Sequence, residues 1–149
     1  MMNRRYRVAL VGCGGMGRQH ISALKDVHEF EFVALCDVSD EALARAGELV
    51  DARAYRDCAH MCDDAKPDIV VVATQTRGHC APSVEALERG ISVLCEKPIA
   101  IDLGEADAMV DAAQRSGARL AINQQNHVNP GIRRDRKSTR LNSSHLVIS

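Results

Sequence analysis

The chain has 149 residues, of which 46% are hydrophobic, 26% charged and 3% aromatic, and its formal net charge is −1. This length suits one domain with an aliphatic core, and the balanced charge gives no electrostatic sign of a nucleic-acid or membrane partner. No apolar leader precedes the first predicted strand, and the six cysteines do not follow a disulfide framework, so we expect reduced thiols and a cytoplasmic protein.

Apolar strands alternate with helical segments along the chain. Strands are predicted at 6–11, 30–36, 54–55, 68–73, 91–95 and 118–122, and helices at 15–27, 41–50, 57–64, 80–89 and 102–116. The β-branched run at 68–73 is typical of a strand that is buried on both faces. Six such β/α units predict an α/β fold with a doubly wound parallel sheet of six strands.

Cysteines and a histidine lie close together in the third predicted helix, at Cys58, His60 and Cys62. On a helix the two cysteines share a face while His60 points away from it. We therefore interpret the cysteines as small core residues and expect no metal site.

A glycine-rich loop joins the first predicted strand to the first helix. Gly12, Gly14 and Gly17 form the pattern G-x-G-x-x-G, in which the first glycine permits a tight turn, the second lets the backbone approach a pyrophosphate, and the third lets the helix pack closely on the strand. Free N–H groups where the helix begins, at Gly15 and Met16, attract phosphates. These five residues are our candidate dinucleotide-binding loop; the alternative is a glycine-rich turn without a ligand.

An aspartate, Asp37, closes the second predicted strand 20 residues after Gly17. A carboxylate there can accept hydrogen bonds from both hydroxyls of the adenosine ribose, and it repels a 2′-phosphate. Val38 and Ser39 supply no cation for such a phosphate, so NAD is favoured over NADP. The alternative is a solvated aspartate that caps the next helix.

The triplet Glu96-Lys97-Pro98 follows the apolar run at 91–95. A lysine at the carboxyl end of a buried strand lies where open α/β sheets place their ligands. In combination with the glycine loop, Lys97 indicates a nicotinamide enzyme with a reactive lysine beside the cofactor. The alternative is a partly exposed lysine that pairs with Glu96.

With these motifs, the chain resembles the N-terminal, NAD(P)-binding half of the Gfo/Idh/MocA oxidoreductases, the family of glucose–fructose oxidoreductase, inositol dehydrogenase and rhizopine-catabolism proteins. The resemblance covers residues 6 to about 134 and includes a Rossmann fold. Its matching segments are 11–20, with His20 at a frequent histidine position, 68–74, His79, 86–90 and 93–98.

The resemblance implies roles for individual residues. Thr74, Thr76 and His79 would line the cofactor on the nicotinamide side, and Glu96 would contact the nicotinamide ribose. Lys97 would touch both the ribose and the substrate hydroxyl, and is the candidate catalytic residue. The Lys97–Pro98 bond would be cis, as it often is in the family, and a packing role stays open for His20 and for His79.

Some positions depart from the family pattern. Gln75 replaces a common proline, and His127 and Val128 replace an arginine and an aromatic residue, which puts the contact of that arginine in doubt. Gln124 and Asn126 are candidate polar groups near the substrate.

The family continues into a second, α+β domain whose Asp-x-x-x-His segment supplies the catalytic base, and this chain lacks that segment. Residues 135–149 resemble a translated sequencing-library adapter. We therefore expect a dinucleotide-binding domain at 1–122, the start of a crossover at 123–134, and a non-native tail at 135–149; the alternative is a basic tail that binds RNA or an acidic partner. We expect this truncated chain to be inactive alone.

The activity that the resemblance implies is hydride transfer between NAD and a secondary alcohol of a sugar, cyclitol or similar polyol, in a full-length homo-oligomer. Two alternatives stay open. One is a non-catalytic dinucleotide-binding module, and the other is an NAD-assisted non-redox enzyme such as a glycosidase.

Overall fold

Six strands form one parallel sheet in the computed structural model, which describes residues 5–124. The strands are β1 (Tyr6–Val11), β2 (Phe30–Cys36), β3 (Arg53–Tyr55), β4 (Ile69–Val72), β5 (Ser92–Glu96) and β6 (Leu120–Asn123). The helices are α1 (Gly15–Leu24), α2 (Asp40–Gly47), α3 (Cys58–Ala65), α4 (Cys80–Glu88) and α5 (Leu103–Ser116), with a 3-10 turn at Thr76–Gly78.

The strand order is β3-β2-β1-β4-β5-β6, and every neighbouring pair is parallel. This confirms the predicted doubly wound sheet. The order reverses between β1 and β4, so the connections that leave these two strands diverge and open a crevice at the carboxyl edge of the sheet. Open α/β sheets bind their ligands at this crevice.

The core consists of two aliphatic layers, one on each face of the sheet. Along β1 the side chains alternate between them: Val8 and Leu10 face α1 and α2, while Ala9 and Val11 face α3, α4 and α5. Burial of a side chain such as Leu10, which is fully inaccessible, contributes about 1.5–3 kcal/mol. Packing on both faces therefore fixes the positions of the strands and of their carboxyl ends.

Side-chain caps begin three of the helices. The side chains of Ser39, Asp57 and Asp102 accept hydrogen bonds from the backbone N–H groups of α2, α3 and α5. Gly117, at φ +72°, ends α5 where the sequence predicts it. Asp102 and Gly117 thus act as the predicted start and stop signals.

Two helices end three residues before their predicted C-terminal ends. The first was expected to run to residue 27 and ends at Leu24, because the chain leaves the helix through a turn in which the Val27 N–H donates to the Leu24 carbonyl. The second was expected to run to residue 50 and ends at Gly47. Both predictions extended too far because the residues that follow Leu24 and Gly47 carry no strong helix-stopping signal.

All six cysteines are free. Cys62 is buried, Cys58 is half-buried and His60 is exposed, as the helix geometry predicts. Within residues 5–124 no cluster of three or more His, Cys, Asp or Glu side chains is arranged to hold a metal ion, and no helix is both long and apolar enough to cross a membrane. The predictions for 125–149, including Asn126, the substitutions at 127 and 128 and the tail, lie outside the described residues.

Candidate functional site

The glycine loop lies where β1 meets α1, at the crevice in the sheet. Gly12 has φ +92°, and a Cβ atom there would lie 2.6 Å from the Thr74 backbone nitrogen. A Cβ atom on Gly17 would lie 1.9 Å from the Gly12 carbonyl oxygen. These contacts exclude any side chain at Gly12 and Gly17, so the tight turn and the close helix packing that the pattern predicts are both present.

The middle of the same loop faces open space. A Cβ atom on Gly14 or Gly15 would meet no heavy atom within 4 Å, and both glycines are exposed, as is Met16. The start of α1 has no side-chain cap. Its free N–H groups therefore point into a volume that an anion can enter.

Asp37 holds the glycine loop against the start of α2. Its Oδ2 accepts a hydrogen bond of 2.8 Å from the Cys13 N–H, and its Oδ1 accepts one of 2.9 Å from the Ser39 N–H. The cap of α2 is Ser39 itself, so Asp37 supports the cap from the residue before it. A carboxylate has about four lone-pair positions, which leaves acceptor capacity for a ligand.

A cleft of about 360 Å³ extends from this loop across the ends of β1, β2 and β4. Its lining includes Gly12, Asp37, Val38, Arg56 and Thr74. Arg56 is a cation that the sequence analysis missed, because it follows β3 and only the strand order brings β3 next to β2. Its guanidinium pairs with Asp40 on the surface.

A buried carboxylate, Glu96, connects three elements at the other side of the crevice. Glu96 is 5% exposed. Its Oε1 lies 2.7 Å from His20 Nε2 on α1 and accepts a 2.6 Å hydrogen bond from Asn123 Nδ2 on β6. Its Oε2 accepts a bond of 3.3 Å from the Lys97 N–H. The carboxylate thus links α1, β5 and β6 and contacts the backbone of Lys97.

These contacts decide the charge of Glu96. Burial alone raises the pKa of this carboxyl, but the hydrogen bonds from Asn123, His20 and the Lys97 N–H outweigh burial and hold the pKa below its ordinary value. Glu96 is therefore ionised at neutral pH and places a fixed negative charge behind the lysine.

Lys97 is exposed at the carboxyl end of β5. Within residues 5–124 no side chain forms an ion pair or hydrogen bond with its ammonium, and the carboxylate of Glu96 is occupied by His20 and Asn123. The lysine therefore does not pair with Glu96 in the described part of the chain. The Lys97–Pro98 bond is cis, as the resemblance implies.

The remaining predicted residues lie on the connection from β4 to α4. Thr74 and Thr76 are half-buried, whereas His79 is 1% exposed. Both ring nitrogens of His79 lie near carbonyl oxygens, Nδ1 at 2.9 Å from Pro98 O and Nε2 at 3.1 Å from Thr74 O. Direct contact between the His79 ring and a cofactor stays a prediction.

Asn123 is the second functional candidate that the sequence analysis missed. The predicted polar groups were Gln124 and Asn126, and the structure shows Gln124 exposed at the end of β6. The pairing of β5 with β6 sets Asn123 directly opposite Glu96. Only this register, which no local pattern encodes, identifies the asparagine as a partner of the carboxylate.

A comparison with protein families agrees with this geometry. The model of an oxidoreductase family, described as having an NAD-binding Rossmann fold and covering Gfo/Idh/MocA proteins, matches residues 6–124. The chain belongs to this family. The match includes the glycine loop, Asp37 and the Glu96–Pro98 segment that form the carboxyl edge of the sheet.

Curated members of the Gfo/Idh/MocA family match the chain over a part of their length. D-apiose dehydrogenase of Paraburkholderia graminis is 37% identical over 130 residues, which are 87% of this chain and 35% of that protein. Inositol 2-dehydrogenase 4 of Saccharopolyspora erythraea is 35% identical over 80% of this chain and 36% of its own length. The chain therefore spans about a third of these relatives.

Solved structures of the same family superpose well. The WlbA dehydrogenase from Chromobacterium violaceum, in complex with NADH and UDP-GlcNAcA, has a TM-score of 0.87 and 32% identity, over 93% of this chain and 40% of that one. The myo-inositol dehydrogenase from Lactobacillus casei, in complex with NAD(H) and myo-inositol, has a TM-score of 0.83 and 28% identity, over 90% and 41% of the two chains.

Proposed function

We propose that this chain is the cofactor-binding half of a dehydrogenase that transfers hydride between NAD and a secondary alcohol of a sugar, cyclitol or similar polyol. The observation that carries the proposal is the position of Lys97, whose ammonium is exposed and unpaired within residues 5–124 at the sheet edge that also holds the glycine loop. The dehydrogenases to which the chain is similar act on polyols and sugars by name.

The residues at the carboxyl edge fit a dinucleotide. Gly14, Gly15 and Met16 leave the start of α1 open for the pyrophosphate, and Gly12 and Gly17 permit the backbone path that this requires. In the proposal, Asp37 binds the adenosine ribose, which favours NAD over NADP. Thr74 and Thr76 line the nicotinamide side, with the buried His79 on the same connection, and Glu96 and Lys97 lie near the nicotinamide ribose.

In the proposed reaction, Lys97 acts on the hydroxyl of the substrate. Its ammonium donates a hydrogen bond to this oxygen and stabilises the negative charge that develops when the hydroxyl proton leaves. The ionised carboxylate of Glu96, the preceding residue, lies behind it. The bound cofactor supplies the hydride acceptor, and the chain supplies the orientation.

The general base lies elsewhere in this proposal. Within residues 5–124, His20 and His79 are both engaged with Glu96 or with carbonyl oxygens. We propose that residues 1–122 form the dinucleotide-binding domain, that 123–134 begin the crossover, and that a histidine of a second domain removes the proton. We propose that the full-length protein is a homo-oligomer in the cytoplasm, and the six free cysteines of this chain support the proposed compartment.

The function is tested with the full-length protein, NAD and a panel of polyols and sugars. We expect NADH to accumulate with at least one substrate, and Lys97→Ala to lower kcat by about 100- to 1000-fold, the usual effect of removing one group that stabilises an oxyanion. Lys25→Ala, at the far end of α1, is the matched control and leaves kcat unchanged. NADH binding without turnover on the whole panel would favour the non-catalytic module, and product formation without net NADH would favour the NAD-assisted non-redox enzyme.

A further inference from the structure

His79 joins two connections at the carboxyl edge of the sheet, those that leave β4 and β5. It follows the 3-10 turn at Thr76–Gly78 and begins α4, on the connection that leaves β4. Its ring reaches the connection that leaves β5, where Nδ1 lies 2.9 Å from the Pro98 carbonyl oxygen. Nε2 lies 3.1 Å from the Thr74 carbonyl oxygen on its own connection.

The surroundings hold this ring in place. The His79 side chain is 1% exposed, and Ser83, which is fully buried, donates a 2.6 Å hydrogen bond from its hydroxyl to the His79 carbonyl. A carbonyl oxygen only accepts hydrogen bonds, so either ring nitrogen must carry a hydrogen to bond with its partner. A hydrogen on Nδ1 makes a bond that crosses between connections, whereas a hydrogen on Nε2 makes a bond that stays within one.

The contact between His79 Nδ1 and the Pro98 carbonyl affects the backbone next to Lys97. The lysine side chain is exposed, and its backbone is held before the cis bond by the 3.3 Å hydrogen bond from the Lys97 N–H to Glu96 Oε2. The Pro98 carbonyl, which His79 contacts, is the polar anchor after that bond. The buried side chains of Glu96 and His79 therefore contact the backbone on the two sides of the exposed Lys97 side chain.

We propose that His79 is a positioning residue. Its Nδ1–H donates to the Pro98 carbonyl and holds the Lys97–Pro98 segment against the end of β4. His79 therefore acts on the reaction through Lys97. The functional part of this inference rests on the proposed function. The structural part, a hydrogen on Nδ1 and a fastened Lys97 backbone, can be measured without any cofactor.

Two amide variants separate the two ring contacts. The side-chain amide nitrogen of His79→Asn occupies the region of Nδ1 and can still donate to Pro98, whereas that of His79→Gln reaches the region of Nε2. The reporter is amide hydrogen exchange of Lys97, measured by NMR on the chain without NADH. We expect His79→Gln and His79→Ala to exchange about 2- to 10-fold faster than the wild type, the effect of one lost hydrogen bond, and His79→Asn to remain close to it.

The wild-type chain provides a measurement that needs no variant. Nitrogen-15 spectra of the histidine rings identify the nitrogen that carries the hydrogen, and we expect a hydrogen on Nδ1 of His79. A ring protonated on Nε2 alone would overturn the proposal, as would equal Lys97 exchange in the Asn and Gln variants. These outcomes are independent of whether the protein is a dehydrogenase.

Kinetics of the full-length protein test the link to Lys97. We expect His79→Gln to lower kcat by about 2- to 10-fold with KM for NAD unchanged, and His79→Asn to restore most of the loss. A direct contact between the ring and the cofactor would instead raise KM for NAD in both variants, and that result would contradict a positioning role.

Discussion

At the scale of single residues, the site depends on a carboxylate that is buried yet charged. Glu96 keeps its charge because three donors surround it, from Asn123, His20 and the Lys97 backbone. A buried charge without such partners would neutralise. The same three bonds connect α1, β5 and β6, so the group that sets the electrostatics behind Lys97 also stabilises the fold.

The pH dependence of stability tests this account of Glu96. Because the folded pKa lies below the ordinary value of 4.5, the stabilisation is complete above about pH 4.5 and is lost as the pH falls through the folded pKa. We expect Glu96→Gln to lower the free energy of unfolding by about 1–3 kcal/mol at pH 7, and by progressively less under acid conditions. Urea titrations at several pH values measure the difference.

The control for that experiment is Glu31→Gln, since Glu31 is an exposed glutamate on β2. Its substitution should change the free energy of unfolding little at any pH. A loss in Glu96→Gln that is constant from pH 7 down to pH 3 would show that packing, and not charge, is the source of the effect.

Cofactor choice is also a property of single residues. Asp37 contributes a negative charge to the cleft, and Arg56 lies in the same cleft. We expect Asp37→Ser to narrow the preference for NADH over NADPH, because it removes a charge that repels the 2′-phosphate. Binding titrations of both cofactors measure the ratio of the NADH and NADPH affinities.

A second substitution, Arg56→Gln, serves as the comparison. The double variant Asp37→Ser/Arg56→Gln should bind NADPH less well than Asp37→Ser alone. An unchanged affinity ratio in Asp37→Ser would contradict the role of Asp37.

At the scale of elements, the helix that follows the Lys97 segment is set by its cap. Asp102 Oδ1 accepts a 2.9 Å hydrogen bond from the Glu105 N–H at the start of α5. We expect Asp102→Ala to lower the free energy of unfolding by about 0.5–2 kcal/mol, as other lost N-caps do. Asp107→Ala, at an exposed position within the same helix, is the control and should cost nothing or stabilise slightly. Equal losses in the two variants would contradict the capping role.

Elements with clear local signals could be predicted from the sequence. The run at 68–73 predicted β4, and Asp102 with Gly117 predicted both ends of α5. The ends of α1 and α2 were predicted wrongly, because the residues beyond Leu24 and Gly47 carry no strong stop signal and tertiary packing decides where the chain turns.

At the scale of the whole molecule, the candidate site assembles from distant parts of the chain. The glycine loop and Lys97 were accessible to sequence analysis, since each has its own local pattern. Asn123 and Arg56 were not, because they reach the site through the β5–β6 register and through the β3–β2 pairing. Non-local strand pairing is therefore the information that the local patterns lacked.

The proposed function requires that NAD binds at the carboxyl edge of this sheet. An NADH titration of the nitrogen-15-labelled chain, followed by NMR, tests it most directly. We predict saturable shifts of the backbone signals at Gly14 to Gly17, Asp37, Thr74 to His79, Glu96 and Lys97, with little change at the amino ends of the strands. Shifts confined to other surfaces, or no saturable shift at millimolar NADH, would contradict the claim.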